Sequence, residues 1–227
     1  MPAEVAAPRS GRMARIVERL RDRGVVATLR KAFADKVFRH STSVMIELRP
    51  EWHQPGRNEI RPDWLSFAVA RQPADLPPLC DWMAWRRGDF RDMLNEGKVG
   101  ILALRDGMAV GCAWFSLSDH RDTRSREFYA VGPNEAYHYC WMIDPALRRS
   151  NIALPFGRFM LKTLSEMGIG RRFGLVDRAN RTSYVLQARF GYRECGIKVM
   201  HYVIFGSRWT RIARYQGVLG PLARAAR

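Results

Sequence analysis

Cysteine is scarce in this chain: its 227 residues hold four. They stand far apart, at Cys80, Cys112, Cys140 and Cys195, with no C-x-x-C pair and no His at ligand spacing. That pattern argues against a zinc site and demands no disulfide. The simplest expectation is a reduced, cytoplasmic setting with no metal. Long hydrophobic runs are missing as well. No stretch nears the ~18 uninterrupted apolar residues a spanning helix needs. The N-terminus lacks the apolar core and small-residue cleavage site of a secretory signal. Internal repeats and low-complexity tracts are absent. So are RNA- and DNA-reading motifs such as aromatic-rich RNP strands, so nucleic acid is not the expected partner.

The two ends are also poor in acid. Residues 1–40 hold 10 Lys/Arg against 4 Asp/Glu, and residues 207–227 hold 5 Arg and no acid. These ends supply +11 of the net +16, leaving +5 for the 166 residues between them. Basic ends of this kind suit an anionic lipid or another acidic polymer. At 47% hydrophobic and 11% aromatic, the chain has enough apolar surface for a buried core.

Periodicity divides the chain into three parts. Residues 1–64 form a basic helical N-terminal extension and linker. Met13, Ile16, Val17 and Leu20 fall at helical spacing, and Val26, Leu29, Phe33 and Val37 continue a similar stripe with arginines opposite. A short strand-like run, SVMIEL (43–48), precedes a Pro/Gly-rich linker (49–63). Residues 65–206 alternate regularly. Strand patterns at 65–72, 98–118 and 136–143 are joined by helical patterns at 73–96 and a polar loop at 119–127. A helix (151–167), a strand (172–177), a second helix (180–189) and one or two strands (192–205) follow. Asp106-Gly107 marks a hairpin within 98–118. Residues 207–227 are a basic tail read as helical. The expected fold is α/β, a mixed and mostly antiparallel central sheet with helices on both faces.

WMIDPALRRSNIALPFGRFM (141–160) carries the chemistry. An apolar run ends at a proline, passes through Arg-Arg-Ser-Asn, and restarts as an amphipathic helix. Helix N-termini expose unpaired N–H groups that accept anions. Ser150 is also a residue that simply caps helices, with the arginines solvated.

Four segments in order resemble the GNAT (GCN5-related N-acetyltransferase) family. VARQPADLPPL (69–79) resembles its first strand and turn, and LRDGMAVG (104–111) its second hairpin. IDPALRRSNIA (143–153) resembles V-x-P-x-x-R-G-x-G-I-G/A, and NRTSYVLQARFGY (180–192) resembles N-x-x-A-x-x-L-Y-x-K-x-G-F. The resemblance implies an acyl-CoA-dependent N-acyltransferase that uses acetyl-CoA as donor and no metal. In such a protein two neighbouring strands part, and the pantetheine arm lies between them. Carried over by position, Arg148, Arg149, Ser150, Asn151, Ile152 and Ala153 would cradle the pyrophosphate. The backbone of Met142 and Ile143 would pair with the pantetheine amides, and Asn180 would sit beside the arm. Arg149 and Asn151 stand where the family pattern has glycines. Gln187 stands where the family's frequent acid, Tyr, is expected; an amide orients the leaving sulfur but donates no acid proton. Tyr184, on nearly the same helix face, is the substitute. His138 and Glu135 are the candidate bases, with His138 expected to share a strand face with Cys140 and Met142. His120 and its neighbouring acids would border the acceptor. Cys140 reads as a structural thiol, because the family transfers the acyl group directly.

The acceptor implied is a small-molecule or sugar amine, such as an envelope polysaccharide precursor. The basic ends point to peripheral attachment on the inner face of the cytoplasmic membrane. The N-terminal stripe would otherwise pack on the core or on a second subunit, as a homodimer. A catalytically inactive module of the same fold, docking on nucleic acid or anionic lipid, is the alternative in a different class.

Overall fold

The computed structural model describes residues 38–52, 61–122 and 127–220. The N-terminal helical stripe expected over residues 13–37 lies outside the described residues, as does the end of the basic tail. The elements are β1 (Phe38–Leu48), β2 (Leu65–Ala70), α1 (Asp81–Ala84), α2 (Arg87–Asn95), β3 (Val99–Arg105), β4 (Met108–Ser116), β5 (His120–Asp122), β6 (Glu127–Tyr129), β7 (Glu135–Ile143), α3 (Ala153–Glu166), β8 (Arg171–Asp177), α4 (Arg181–Arg189), β9 (Arg193–Ile204) and β10 (Ser207–Arg214).

Eight strands form one sheet in the order β10-β9-β1-β8-β7-β4-β3-β2, and β5-β6 is a separate hairpin. Every pairing in the sheet is antiparallel except β7 with β8. The expected mixed, mostly antiparallel sheet is present. Asp106 (φ 50) and Gly107 (φ 77) close the β3–β4 hairpin with both turn residues left-handed, the backbone that matches strand twist.

Helices cover both faces. On one face, α3 sets Phe156, Met160 and Leu164 against Ile101, Phe115 and Ala136. Leu161 of α3 and Tyr184 of α4 lie over Val44, Ile46 and Val176. On the other face, Met83, Phe90 and Leu94 of α1 and α2 pack on Leu102, Cys112 and Trp114. Tyr129 of β6 covers Met45, Tyr137 and Phe173 there.

Three expectations need correction. β1 lies inside the sheet, paired along Ser43–Leu48 with β8 and along much of its length with β9. The sheet therefore begins at residue 38, not 65. Its first half reads as polar because Phe38–His40 are exposed, and burial starts only further along. The basic tail is not helical at its start: Ser207–Arg214 pairs residue for residue with β9 as the edge strand β10. The segment expected as a polar loop at 119–127 holds β5, which pairs antiparallel with β6 starting at its end.

Candidate active site: a strand gap and the cavity beside it

β7 and β8 are in register only from Glu135–Arg171 to His138–Gly174. Beyond that point Tyr139–Ile143 and Leu175–Asp177 have no partner across the gap, so the sheet opens. Gly174 marks the last close contact: a Cβ there would lie 2.3 Å from the His138 carbonyl oxygen. On its other side β7 stays paired with β4, with one irregularity. Trp114 pairs with Cys140 and Phe115 with His138, which leaves Tyr139 as the extra residue of a β-bulge.

The bulge changes which side chains share a face. His138 lies against Phe115 (ring centroids 4.5 Å) and near Trp141 (5.9 Å), on the α3 side. Cys140 and Met142 face the other way, both receiving Nη1–H of Arg86, at 3.6 and 3.1 Å. The expected shared face of His138, Cys140 and Met142 is thus broken by one inserted residue. Backbone direction also differs from expectation for one member of the pair Met142 and Ile143. Asp144 donates its N–H to Val110 of β4 at 2.8 Å, so alternation turns the Met142 groups toward β4 as well. The Trp141 and Ile143 groups address the opening.

The opening leads to the turn before α3. Asp144 accepts from the Ala146 N–H at 2.9 Å and fixes a short 3-10 turn over Pro145–Leu147. Arg148 and Arg149 are exposed, and Arg148 Nε donates to the Ile143 carbonyl at 3.3 Å. Asn151 takes φ 56, the left-handed backbone that a glycine supplies elsewhere and Asn tolerates. Ser150 is not the cap. Ile152 holds that position, and no side chain caps the helix. The N–H groups of Ile152, Ala153 and Leu154 therefore have no intrahelical acceptor. Pro155, at the third position, contributes none. Residues Arg148 to Ala153 thus form a cationic turn ahead of a helix start with no side-chain cap.

The proposed acid–base residues are placed differently. His138 is buried, its Nε2 has no partner, and loss of solvation pushes its pKa down to about 4. It is a neutral core imidazole at pH 7. Glu135 stands four residues before the bulge, about 13 Å along the strand. It accepts from Arg171 Nη1 (2.8 Å) and the Gly132 N–H (3.0 Å). Burial works to raise its pKa, but Arg171 and that N–H outweigh it and hold the carboxyl below its usual range. Arg171 also binds Glu47 at 2.7 Å, so Glu135 belongs to an ion-pair cluster rather than to the opening. Tyr184 donates to Glu194 Oε1 at 2.6 Å. Burial first, then Glu194, push its phenol up and away from an acid's range. Glu194 also accepts from Tyr215 and from the N–H groups of Leu219 (2.9 Å) and Gly220 (2.7 Å). Asn180 caps α4, accepting from the Ser183 N–H at 3.1 Å. Gln187 is buried on α4 with Oε1 unpartnered.

A cavity of about 400 Å³ lies beside the bulge, lined by the His120 expected to border the acceptor and by residues with no motif of their own. Tyr139, Cys140, Arg86 and His120 line it, with Asp89 and Asp92 of α2, Glu96 at that helix's C-cap, and Asp122 of β5. Asp89, Asp92 and Glu96 fall at i, i+3 and i+7, a polar stripe legible in the sequence. Asp89 pairs with Arg86 (3.5 Å) and Glu96 with Lys98 (3.8 Å). His120 is 7% exposed with Nδ1 unpartnered, and burial followed by Lys98 lowers its pKa to about 4. Trp85, 76% exposed, stands next to Arg86 at the start of α2. Among the described residues no cluster of potential metal ligands is found, and no helix is long and apolar enough to cross a membrane.

No family model matches the chain, and no curated protein does. Solved structures of similar shape do exist. A protein of Drosophila melanogaster matches 80% of this chain and 57% of its own, at TM-score 0.49 and 10% identity. A tandem GNAT protein from the clavulanic acid biosynthesis pathway matches over 85% and 59%, at TM-score 0.47 and 13% identity. A GCN5-related N-acetyltransferase from Kribbella flavida matches over 85% and 74%, at TM-score 0.45 and 14% identity. The chain thus spans under two thirds of the length of the first and second of these. GCN5-related N-acetyltransferases, the family its motifs resemble, are among the chains whose fold is similar.

Proposed function

We propose that the protein is an acyl-CoA-dependent N-acyltransferase, with acetyl as the acyl group and an amine as acceptor. One observation carries this reading: β7 and β8 separate after His138 and Gly174, and the opening runs to an uncapped helix N-terminus flanked by two arginines. The pyrophosphate would meet Arg148 to Ala153, and the amides of Trp141 and Ile143 would pair with the pantetheine arm as a third strand. The N–H groups at the bulge would face the oxyanion that forms when the thioester carbonyl is attacked.

The cavity beside the bulge supports an amine acceptor. Its four carboxylates against Arg86, Lys98 and Arg121 make it net negative by one, in a chain of net charge +16. The exposed ring of Trp85, next to the lining residue Arg86, suits a sugar face, and an amino sugar is the acceptor class we favour. Titration calorimetry with acetyl-CoA tests the reading. Saturable binding that weakens with salt is expected; no binding at low salt overturns it. Binding without turnover on any amine would favour the inactive-module alternative.

We further propose that the basic end of the sheet rests on anionic lipid at the inner face of the cytoplasmic membrane. β10 places Arg208, Arg211 and Arg214 on an exposed edge without an acid, beside exposed Trp209 and Ile212. Phe205, 80% exposed, stands at the hairpin tip. Arginines flanking solvent-facing apolar side chains match a lipid headgroup boundary.

A further inference from the structure

We propose that Cys140 is an acyl-carrying nucleophile, so that the acyl group passes from the CoA thioester to its Sγ and then to the amine. This inference rests on the acyltransferase reading above. Three observations on different elements meet at this thiol.

The first is position. Cys140 follows the bulged Tyr139, where the strands have just parted, and the bulge turns its side chain toward the cavity. The second is its surroundings. Arg86 Nη1 stands 3.6 Å from the sulfur. Contact with Cys140 first, then burial, raise the neighbouring Cys112 thiol well above its usual range. Contact with Cys112 is the largest influence on Cys140; burial opposes it, Arg86 reinforces it, and the Cys140 thiol is lowered. The guanidinium beside the sulfur favours the thiolate, which is the reactive form. The third is His120, which lines the same cavity and is nine-tenths buried, with Nδ1 unpartnered. Its imidazole is neutral at pH 7 and offers a lone pair to a ligand N–H.

None of the three residues expected to move protons stands at the opening. His138 is sealed on the opposite face, Glu135 is ion-paired at the far end of β7, and Tyr184 is held by Glu194. Arg86 beside the sulfur favours the thiolate, and a thiolate attacks without a base. The Cys140 thiolate attacks the thioester carbonyl. A carbon–sulfur bond to Cys140 forms, the bond to the CoA sulfur breaks, and CoA leaves as a thiolate that takes a proton from water. The neutral amine then attacks the acetyl-cysteine carbonyl. A carbon–nitrogen bond forms, Cys140 leaves as thiolate, and the amine's proton passes to solvent beside His120. Overall one acyl group and one proton change hands, with no redox step.

The test is intact-protein mass spectrometry after acid quench, with acetyl-CoA added and no acceptor present. We expect a gain of one acetyl group, located at Cys140 and removed by neutral hydroxylamine. The gain should disappear in Cys140→Ser and Cys140→Ala and persist in Cys195→Ser. Calorimetry with acetyl-CoA on the same samples separates the two readings. Acetyl-CoA bound by wild type without acetylation of Cys140, or with acetylation only elsewhere, overturns the covalent route and leaves the acyltransferase reading standing. Absence of acetyl-CoA binding overturns both.

Discussion

Asn151→Asp isolates the electrostatics of the cradle. Asn151 is exposed and holds φ 56, and Asp accepts left-handed backbone much as Asn does. The substitution therefore adds one negative charge while leaving the loop path in place. A carboxylate ~6 Å from a doubly charged pyrophosphate, in water of dielectric ~80, costs ~0.7 kcal/mol per charge, or ~1.4 kcal/mol in total. That is a loss of about tenfold in Kd at low salt. With a Debye length of ~8 Å at physiological ionic strength the energy falls by about half, and the loss shrinks to about threefold. Calorimetry with acetyl-CoA at both salt concentrations gives the comparison. Asn151→Gly, which keeps the backbone and adds no charge, should bind like wild type. An Asn151→Asp variant that matches wild type at low salt would refute the assignment of the pyrophosphate to this turn. So would a loss that does not change with salt.

Other expectations concern the sheet and its surface. His138 is buried neutral, with its pKa lowered from 6.5 to about 4. Its folded pKa lies below its unfolded one, so its contribution is complete above pH 6.5 and is lost as pH falls toward 4, by roughly 3 kcal/mol. Urea unfolding across that range should show a shallower acid slope in His138→Phe than in wild type; an equal slope would mean that the imidazole is solvated. Gly174→Ala drives a Cβ into the His138 carbonyl at 2.3 Å and should cost ~1–3 kcal/mol in urea unfolding. Wild-type stability would show that the strands are not pinned there. Liposome sedimentation should show binding that requires anionic lipid, weakens with salt, and falls in Arg208→Glu/Arg211→Glu. Protein left in the supernatant at low salt removes the membrane reading.

Local features were legible where a short segment settles its own conformation. The turn at Asp106-Gly107, the left-handed Asn151 and the start of a helix beyond Asn151 all follow from one to four neighbouring residues. So does the cap made by Asn180. The order of strands and helices from residue 65 to 205 follows from periodicity, because burial on one face imposes its spacing on the sequence. The chemistry-bearing types near the cradle were visible for the same reason.

Pairing across the chain was not legible. β1 reads as a short apolar run, yet it sits between β8 and β9, because hydrogen bonding to strands more than 120 residues away decides its length. β10 carries three arginines and reads as a tail until β9 supplies its ladder. The bulge at Tyr139 has no signature of its own. It exists because β4 and β7 differ in register, and it sends His138 to one face and Cys140 to the other. Arg86 reaches Cys140 only because α2 crosses that face, 54 residues earlier in the chain. The sequence by itself determined the helix-start turn, its charge and the alternation of the strands, since those depend on adjacent residues. The tertiary structure alone decided which side chains meet at the opening, since that depends on the register of strands that are distant in sequence and close in space.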